Sequence, residues 1–217
     1  MQRIAVIDYG MGNLRSVSKA IERVAPDDEV LVSADADVIA SADRIVCPGQ
    51  GAARDCMAAL HESGLGRTVL ETVDTRPFLG ICMGLQVLLG HSDENGGISC
   101  LGVVPGNVRR FADPLLDADG VRLKVPHMGW SPVRQRSEHP LWNRIHDGAR
   151  FYFAHSYLCE PDDAAITVGT CDYGREFAVA IAYPGFFACQ FHPEKSAADG
   201  LRLLANFVGW DGKTSSC

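Results

Sequence analysis

Gly80-Ile81-Cys82-Met83-Gly84 has the spacing G-x-C-x-G between an apolar strand-like run and a helix-like one. A nucleophile on so sharp a turn needs small neighbours, because larger side chains would collide. A cysteine there sits at a helix N-terminus, where the dipole and free N–H groups favour thiolate over thiol. The amide of Met83 is placed to meet an oxyanion. Far downstream, Gln190-Phe191-His192-Pro193-Glu194 follows another apolar run. If that segment stays extended, His192 and Glu194 share one face. The carboxylate can then fix the imidazole tautomer while the other ring nitrogen takes the thiol proton. A third segment, Pro48-Gly49-Gln50-Gly51-Ala52, leaves a strand and opens a helix. Glycine on both sides of Gln50 lets its amide turn inward and join Met83 in a two-donor oxyanion hole.

Each segment alone also fits a plainer role: a buried cysteine in a turn, a solvated His and Glu, a Pro-Gly connection. His61, His91, His139 and His146 have no charged partner at motif spacing and fit solvated or capping roles. His127 and His155 lie in apolar-flanked segments and fit hydrogen-bonded structural roles. No phosphate loop of the Gly-x-x-x-x-Gly-Lys-Ser/Thr type occurs. The eight cysteines include no C-x-x-C and no close zinc-type pair, so free thiols and no metal site are expected.

The elements that must position these residues belong to a 217-residue chain, 47% hydrophobic and 22% charged, as soluble globular domains are. A formal charge of −7, with Arg109-Arg110 as the one basic doublet, argues against nucleic-acid or anionic-membrane surfaces. No apolar run is long enough to span a bilayer, and a strand-like segment begins within three residues of Met1. A cytoplasmic location is the expectation. In the first half, strands are expected over 3–8, 29–32, 44–47 (stopped by Pro48-Gly49) and 78–82, and helices over 14–24, 52–61, 65–73 and 83–89. Such alternation implies right-handed βαβ units and a parallel sheet. In the second half, strands are expected over 108–111, 121–124, 130–134, 151–157, 166–171, 177–182 and 187–191. Turn signals separate them, which favours antiparallel pairing. A loop over 112–120, a closing helix over 197–208 and a frayed tail over 211–217 complete the reading. The expectation is one α/β domain over 1–210, with a mixed, mostly parallel sheet flanked by helices and site residues at strand ends.

Taken together in chain order, Pro48–Gly51, Gly80–Gln86 and His192-Pro193-Glu194 resemble the three signatures of class I, triad-type glutamine amidotransferases. Residues 125–130 (VPHMGW), 152–157 (YFAHSY) and 190–196 (QFHPEKS) are similar to the glutaminase subunits of imidazole glycerol phosphate synthases. So are 8–13 (DYGMGN) and 48–57 (PGQGAARDCM). Ser131 and Ala154 depart from that pattern, where Asn and a larger apolar residue are common.

The resemblance implies a flavodoxin-like fold and no cofactor. It implies Cys82, His192 and Glu194 as a catalytic triad and the amides of Gln50 and Met83 as the oxyanion hole. Glutamine is the implied substrate, held by Gly49, Gly51, Gln86, Glu94, His155, Ser156 and Tyr157. The implied partner is a cyclase subunit, a (β/α)8 barrel that receives ammonia, faced by Asn13, Trp130 and Lys195. Two rivals stay open: a glutaminase serving another synthase, above all a paralogous barrel enzyme, or a non-catalytic subunit that keeps the fold.

Overall fold

The computed structural model describes residues 1–213. In chain order its first half holds β1 (Arg3–Ile7), α1 (Leu14–Val24), β2 (Glu29–Ser33), α2 (Ala36–Ala40), β3 (Arg44–Gly49), α3 (Ala53–Glu62), α4 (Leu65–Thr72), β4 (Phe78–Cys82) and α5 (Met83–Gln86). Short strands follow: β5 (Leu89–Ser92), β6 (Ile98–Ser99), β7 (Val104–Arg110), β8 (His127–Pro132) and β9 (Arg134–Gln135). Then come β10 (Arg150–His155), β11 (Tyr157–Pro161), β12 (Thr167–Asp172), β13 (Glu176–Tyr183), β14 (Phe186–Cys189) and α6 (Ala197–Gly209).

β2-β1-β3-β4-β14 form the parallel centre of a mixed sheet. β3 and β4 are buried along their whole length. That is why they read as unbroken apolar runs rather than alternating ones. Beyond β14 the sheet continues antiparallel through β13, β11 and β7. β8 and β10 pair apart from it as a two-stranded ribbon. One core contains Val17 and Ile21 of α1, Leu203 and Phe207 of α6, and the rings of Phe151, Phe153 and Phe191. The other contains Cys56 and Leu60 of α3, Val69 of α4 and Leu85 of α5. Helices thus cover both faces, as βαβ crossovers require.

Several expected boundaries move. β3 runs through Pro48-Gly49, which pair with Ile81 and Cys82. β1 stops pairing with it at Val46, so the missing N–H of Pro48 leaves no gap on that side. The helix expected over 83–89 ends at Gln86, and Leu89 enters β5, which pairs with Val104 of β7. The expected strand 121–124 finds no neighbouring strand: it makes one isolated bridge, Leu116 to Arg122, and Val121 is exposed. The expected strand 130–134 starts earlier, as β8, and resumes as β9 after Val133. The expected strand 151–157 breaks at Ser156, with β10 joining β8 and β11 joining β7 and β13. Of the tail expected at 211–217, Gly212 accepts a hydrogen bond from Gly185 N at 2.7 Å. Residues 214–217 lie outside the described residues.

Arg44 starts β3 and ties it to the end of α6. Its guanidinium donates to Gln2 Oε1 (2.8 Å), to the Phe207 carbonyl (3.1 Å) and to the Trp210 carbonyl. The Trp210 carbonyl lies just past the end of the helix, and the Phe207 carbonyl, which also accepts from Trp210 N at 3.2 Å, belongs to its last turn. The clamp matters to the site, because β3 leads to Gln50 and α6 follows directly on His192 and Glu194. Arg44→Met should lower the unfolding free energy by about 2–4 kcal/mol, the scale of charge-assisted hydrogen bonds plus stranded carbonyls. Urea denaturation checks this; an unchanged midpoint would mean that the clamp contributes nothing.

Candidate active site

The site is built at the ends of the parallel strands. β4 ends at Cys82, whose backbone is left-handed at φ 57° and ψ −107°. A non-glycine residue in such a conformation is strained by about 1–3 kcal/mol. The glycines around it are required by close approach. A Cβ on Gly84 would lie 1.8 Å from the Cys47 carbonyl oxygen. One on Gly80 would lie 2.7 Å from the Gly84 oxygen, and one on Gly49 would lie 2.3 Å from Tyr9 Oη. The elbow is therefore wedged between β3 and β14.

β14 ends at Cys189, and Pro193–Lys195 form a 3-10 turn rather than the extended segment expected. Proline at the start of the turn suits its fixed φ and absent N–H. The turn still brings the side chains together: His192 Nδ1 lies 3.0 Å from Glu194 Oε1, and both side chains are almost fully buried. Burial alone would push the His192 pKa down. The Cys82 sulfur, within hydrogen-bonding reach, and the Glu194 carboxylate outweigh it and raise the pKa to about 9. His192 therefore holds its proton near neutral pH. His127, His139 and His155 go the other way, to about 4, 4 and 3, because burial acts on them without a carboxylate.

A cleft of about 370 Å³ opens over Cys82. Of the residues predicted from sequence, Gln50, Gly51, Cys82, Met83, Gln86, Glu94, His155, Ser156, Tyr157 and His192 line it. Gly49 does not; it is packed beneath, against Tyr9 and Met83. Glu194 stands behind His192. Glu94 Oε2 accepts from Ala53 N at 2.6 Å, which anchors one wall to α3. On the opposite wall, His155 Nδ1 meets the Tyr157 carbonyl at 2.7 Å, so that nitrogen must donate. His155 Nε2 then accepts from His127 Nδ1 at 3.0 Å, and His127 Nε2 accepts from Ser131 Oγ at 2.8 Å. This neutral relay fixes both tautomers.

Trp130 and Lys195 meet on one surface: the Trp130 ring is 6.2 Å from that of Tyr152, and Lys195 Nζ is 5.9 Å from the same ring. Asn13 caps α1 by accepting from Ser16 N at 3.3 Å. Among the described residues no group of three or more His, Cys, Asp or Glu could hold a metal. No helix among them is long and apolar enough to cross a membrane.

Residues 5–209 match the family model described as glutamine amidotransferase class-I. The chain belongs to that family. Two relatives are named imidazole glycerol phosphate synthase subunit HisH and subunit HisH 1. The first, from Dechloromonas aromatica, is 58% identical and the match covers 96% of this chain and 97% of the relative. The second, from Pseudomonas aeruginosa, is 56% identical with 98% and 99% covered. Among solved structures, the fold of PurLQS from Thermotoga maritima superposes with a TM-score of 0.73 at 17% identity, over 96% of this chain and 99% of that one. A glutamine amidotransferase from the same organism gives 0.57 at 19% identity, over 96% and 83%.

Within this amidotransferase, sequence reasoning missed Pro126, Met128 and Ala154 as cleft lining. Met128 and Ala154 belong to the separate ribbon and Pro126 immediately precedes it, and nothing local says that it folds over the elbow. It also gave no role to Gln190, although an amide inside the apolar run Phe186–Phe191 was the available signal.

Two outcomes follow from this geometry. Gly84→Ala should cost at least about 3 kcal/mol, because backbone must move. Gly96→Ala, at a positive φ that Gly84 does not have but with open space around it, should cost about 1–2 kcal/mol. Thermal unfolding compares them, and equal losses would refute the packing account. The second concerns pH. His192 is raised above its ordinary 6.5, so its pairing stabilises fully below that value and is lost as pH rises through about 9. Glu194→Gln should therefore be less stable than the parent near pH 6, with the deficit shrinking towards about pH 9.5. Urea midpoints at both values check this; a deficit independent of pH would mean that the pair is not charged.

Proposed function

We propose that the chain is the glutaminase subunit of an imidazole glycerol phosphate synthase, one domain over 1–210 with Cys82, His192 and Glu194 as its triad. The observation that carries it is the buried His192–Glu194 pair beside an elbow cysteine, with the His192 pKa raised by both neighbours. Relatives above half identity over nearly their whole length carry that enzyme's name.

For the attack the proton resides on His192, whose pKa is raised to about 9, and the Cys82 sulfur is the free nucleophile. The sulfur attacks the side-chain amide carbon of glutamine, and the carbonyl oxygen becomes an oxyanion facing the amides of Gln50 and Met83. His192 gives its proton to the amide nitrogen, the C–N bond breaks, and ammonia leaves. Water then attacks the γ-glutamyl thioester while His192 takes its proton, and Cys82 departs as thiolate with glutamate released. Gly51, Gln86, Glu94, Ser156 and Tyr157 surround the glutamine head group. The ammonia passes to a separate cyclase subunit, a (β/α)8 barrel, in a cytoplasmic heterodimer of histidine biosynthesis. Met128 at 64% exposure and Trp130 at 43% make an apolar patch beside the cleft mouth. Exposed apolar area of this kind supports docking there, with Lys195, over the Tyr152 ring, at its margin and Asn13 as a further residue facing the partner.

Cys82→Ala, combined with the cyclase subunit, should lose glutamine-dependent turnover by roughly 10⁴-fold or more. It should keep the complex and keep turnover with added ammonia. Glutamate release and product formation measure the two halves. Near-parental glutamate release would remove Cys82 as nucleophile; failure of ammonia to rescue would remove the division of labour.

A further inference from the structure

Cys82 is 5% exposed, and buried thiolates need donors. The sequence suggested that a helix dipole supplies the stabilisation, but α5 is only four residues long. A single turn carries little of a macrodipole. The other cysteines show what burial does without help. Cys47 is pushed up to about 12 and Cys56 to about 11 by desolvation. Cys56, Cys159, Cys171 and Cys189 all aim their thiols at oxygen acceptors. Cys82 differs, because its sulfur receives an N–H.

That donor is Gln190. Its Nε2 lies 3.6 Å from Cys82 Sγ. It is 0% exposed and does not line the cleft, so it approaches the sulfur from behind, away from the substrate and the oxyanion. The register explains the placement. Cys189 pairs with Ile81, and one step further sets Gln190 beside Cys82. The backbone there is held by Gln190 N donating to the Val179 carbonyl at 2.8 Å. The amide orientation is held as well. Gln190 Oε1 accepts from Gln86 Nε2 at 2.9 Å and from the Cys159 thiol at 3.9 Å. With its oxygen occupied twice, the amide has its N–H groups left for the sulfur.

We propose that Gln190 is a further catalytic residue, whose buried amide donates to the Cys82 sulfur and stabilises the thiolate while Gln86 locks the amide in the donating orientation. The assignment rests on Cys82 being the nucleophile. It also gives Gln86, a residue of the cleft wall, a second connection that runs beneath the substrate to the reacting sulfur.

The other groups facing that sulfur do not replace this donor. Tyr9 near the end of β1, Cys56 on α3, Cys159 on β11 and Cys189 on β14 are all raised by burial and stay neutral. Glu94 is held across the cleft by Ala53 N. Only His192, backed by Glu194, brings positive charge. A flipped Gln190 would set an oxygen against the sulfur and favour the thiol instead. The two orientations therefore predict opposite signs.

The experiment follows the thiolate ultraviolet absorbance of Cys82 against pH, as the difference between the parent and Cys82→Ala, in the complex with the cyclase subunit. Gln190→Met keeps the volume and removes the donor. It should raise the ionisation midpoint by roughly one to two pH units, and lower kcat and kcat/KM together by about 10- to 100-fold with KM little changed. An unchanged or lowered midpoint would overturn the proposal. A merely structural role would change stability without moving the midpoint. Should Gln190→Met fail to fold, the Gln190 side-chain amide protons of the parent provide the second measurement by NMR. They should shift downfield as Cys82 ionises and stay fixed in Cys82→Ala; no shift through that titration overturns the proposal. Glutamine hydrolysis surviving in Cys82→Ala would instead remove the nucleophile itself, so the two failures are distinguishable.

Discussion

The left-handed backbone at Cys82 is the constraint on which the rest depends. A strand that ends in φ 57° turns sharply at Cys82. The chain makes one turn, Met83–Gln86, and then leaves for β5. The strain of about 1–3 kcal/mol persists because the neighbours allow nothing else. β4 is buried at every residue and paired on both sides, by β3 and by β14. The missing side chains of Gly49, Gly80 and Gly84 let those strands close to contact distance. Rigid placement of the sulfur is thus a by-product of sheet packing, and each strand that enforces it also delivers a functional group. β3 leads into Gln50, and β14 leads into Gln190 and His192.

Electrostatics then sorts chemically identical residues into different roles. Four buried histidines have shifted pKa values, and only one goes up. Desolvation acts on all four in the same direction. His192 differs because a carboxylate and a sulfur lie within reach, and their attraction exceeds the burial penalty. His127 is stacked between Phe153 and Tyr173 at 4.8 and 4.0 Å and faces another imidazole and a hydroxyl. A neutral ring is the stable form there. Among these histidines the partner, rather than the depth of burial, decides the charge.

This explains what could be read in the sequence. Local signals carried the elements whose stability is local or whose burial is complete. α1 falls at Leu14–Val24 as its spacing implies, and β4 falls at Phe78–Cys82. Gln50, Cys82, Met83 and His192 were legible because chemistry demands such groups at fixed spacing, whereas Gln86, Glu94, His155, Ser156 and Tyr157 were implied by the family resemblance alone. Non-local decisions were not legible. Residues 83–89 are buried throughout, so their apolar run has no period to distinguish helix from strand. What ends the helix is Val104, fifteen residues on, pairing with Leu89. Ser156 breaks an apparently continuous strand because two different sheets claim its flanks. His192 and Glu194 were expected to meet across an extended segment and meet across a 3-10 turn instead. The chemistry was legible there and the backbone was not, since either conformation brings side chains two apart within reach.

That break at Ser156 has a further consequence. It divides the second half between the main sheet and the β8–β10 ribbon, and the cleft lies where the two diverge. Met128 and Ala154 reach it from the ribbon and Pro126 from just before it, whereas Cys82, Gln86 and His192 reach it from the sheet. The ribbon alternates strictly, with His127 buried and Met128 and Trp130 outward on β8, and Phe151, Phe153 and His155 buried on β10. Its inner residues hold the Tyr157 carbonyl through the His155–His127 relay. Its outer residues form the exposed apolar patch. A two-stranded ribbon is marginal by itself and takes its position from what it packs against. The ribbon's wall of the cleft is therefore held through two imidazoles of fixed tautomer, whereas the elbow beneath is clamped by strands on both sides. The cleft thus has one wall on the ribbon and its elbow on the sheet, and that division originates in one change of strand pairing.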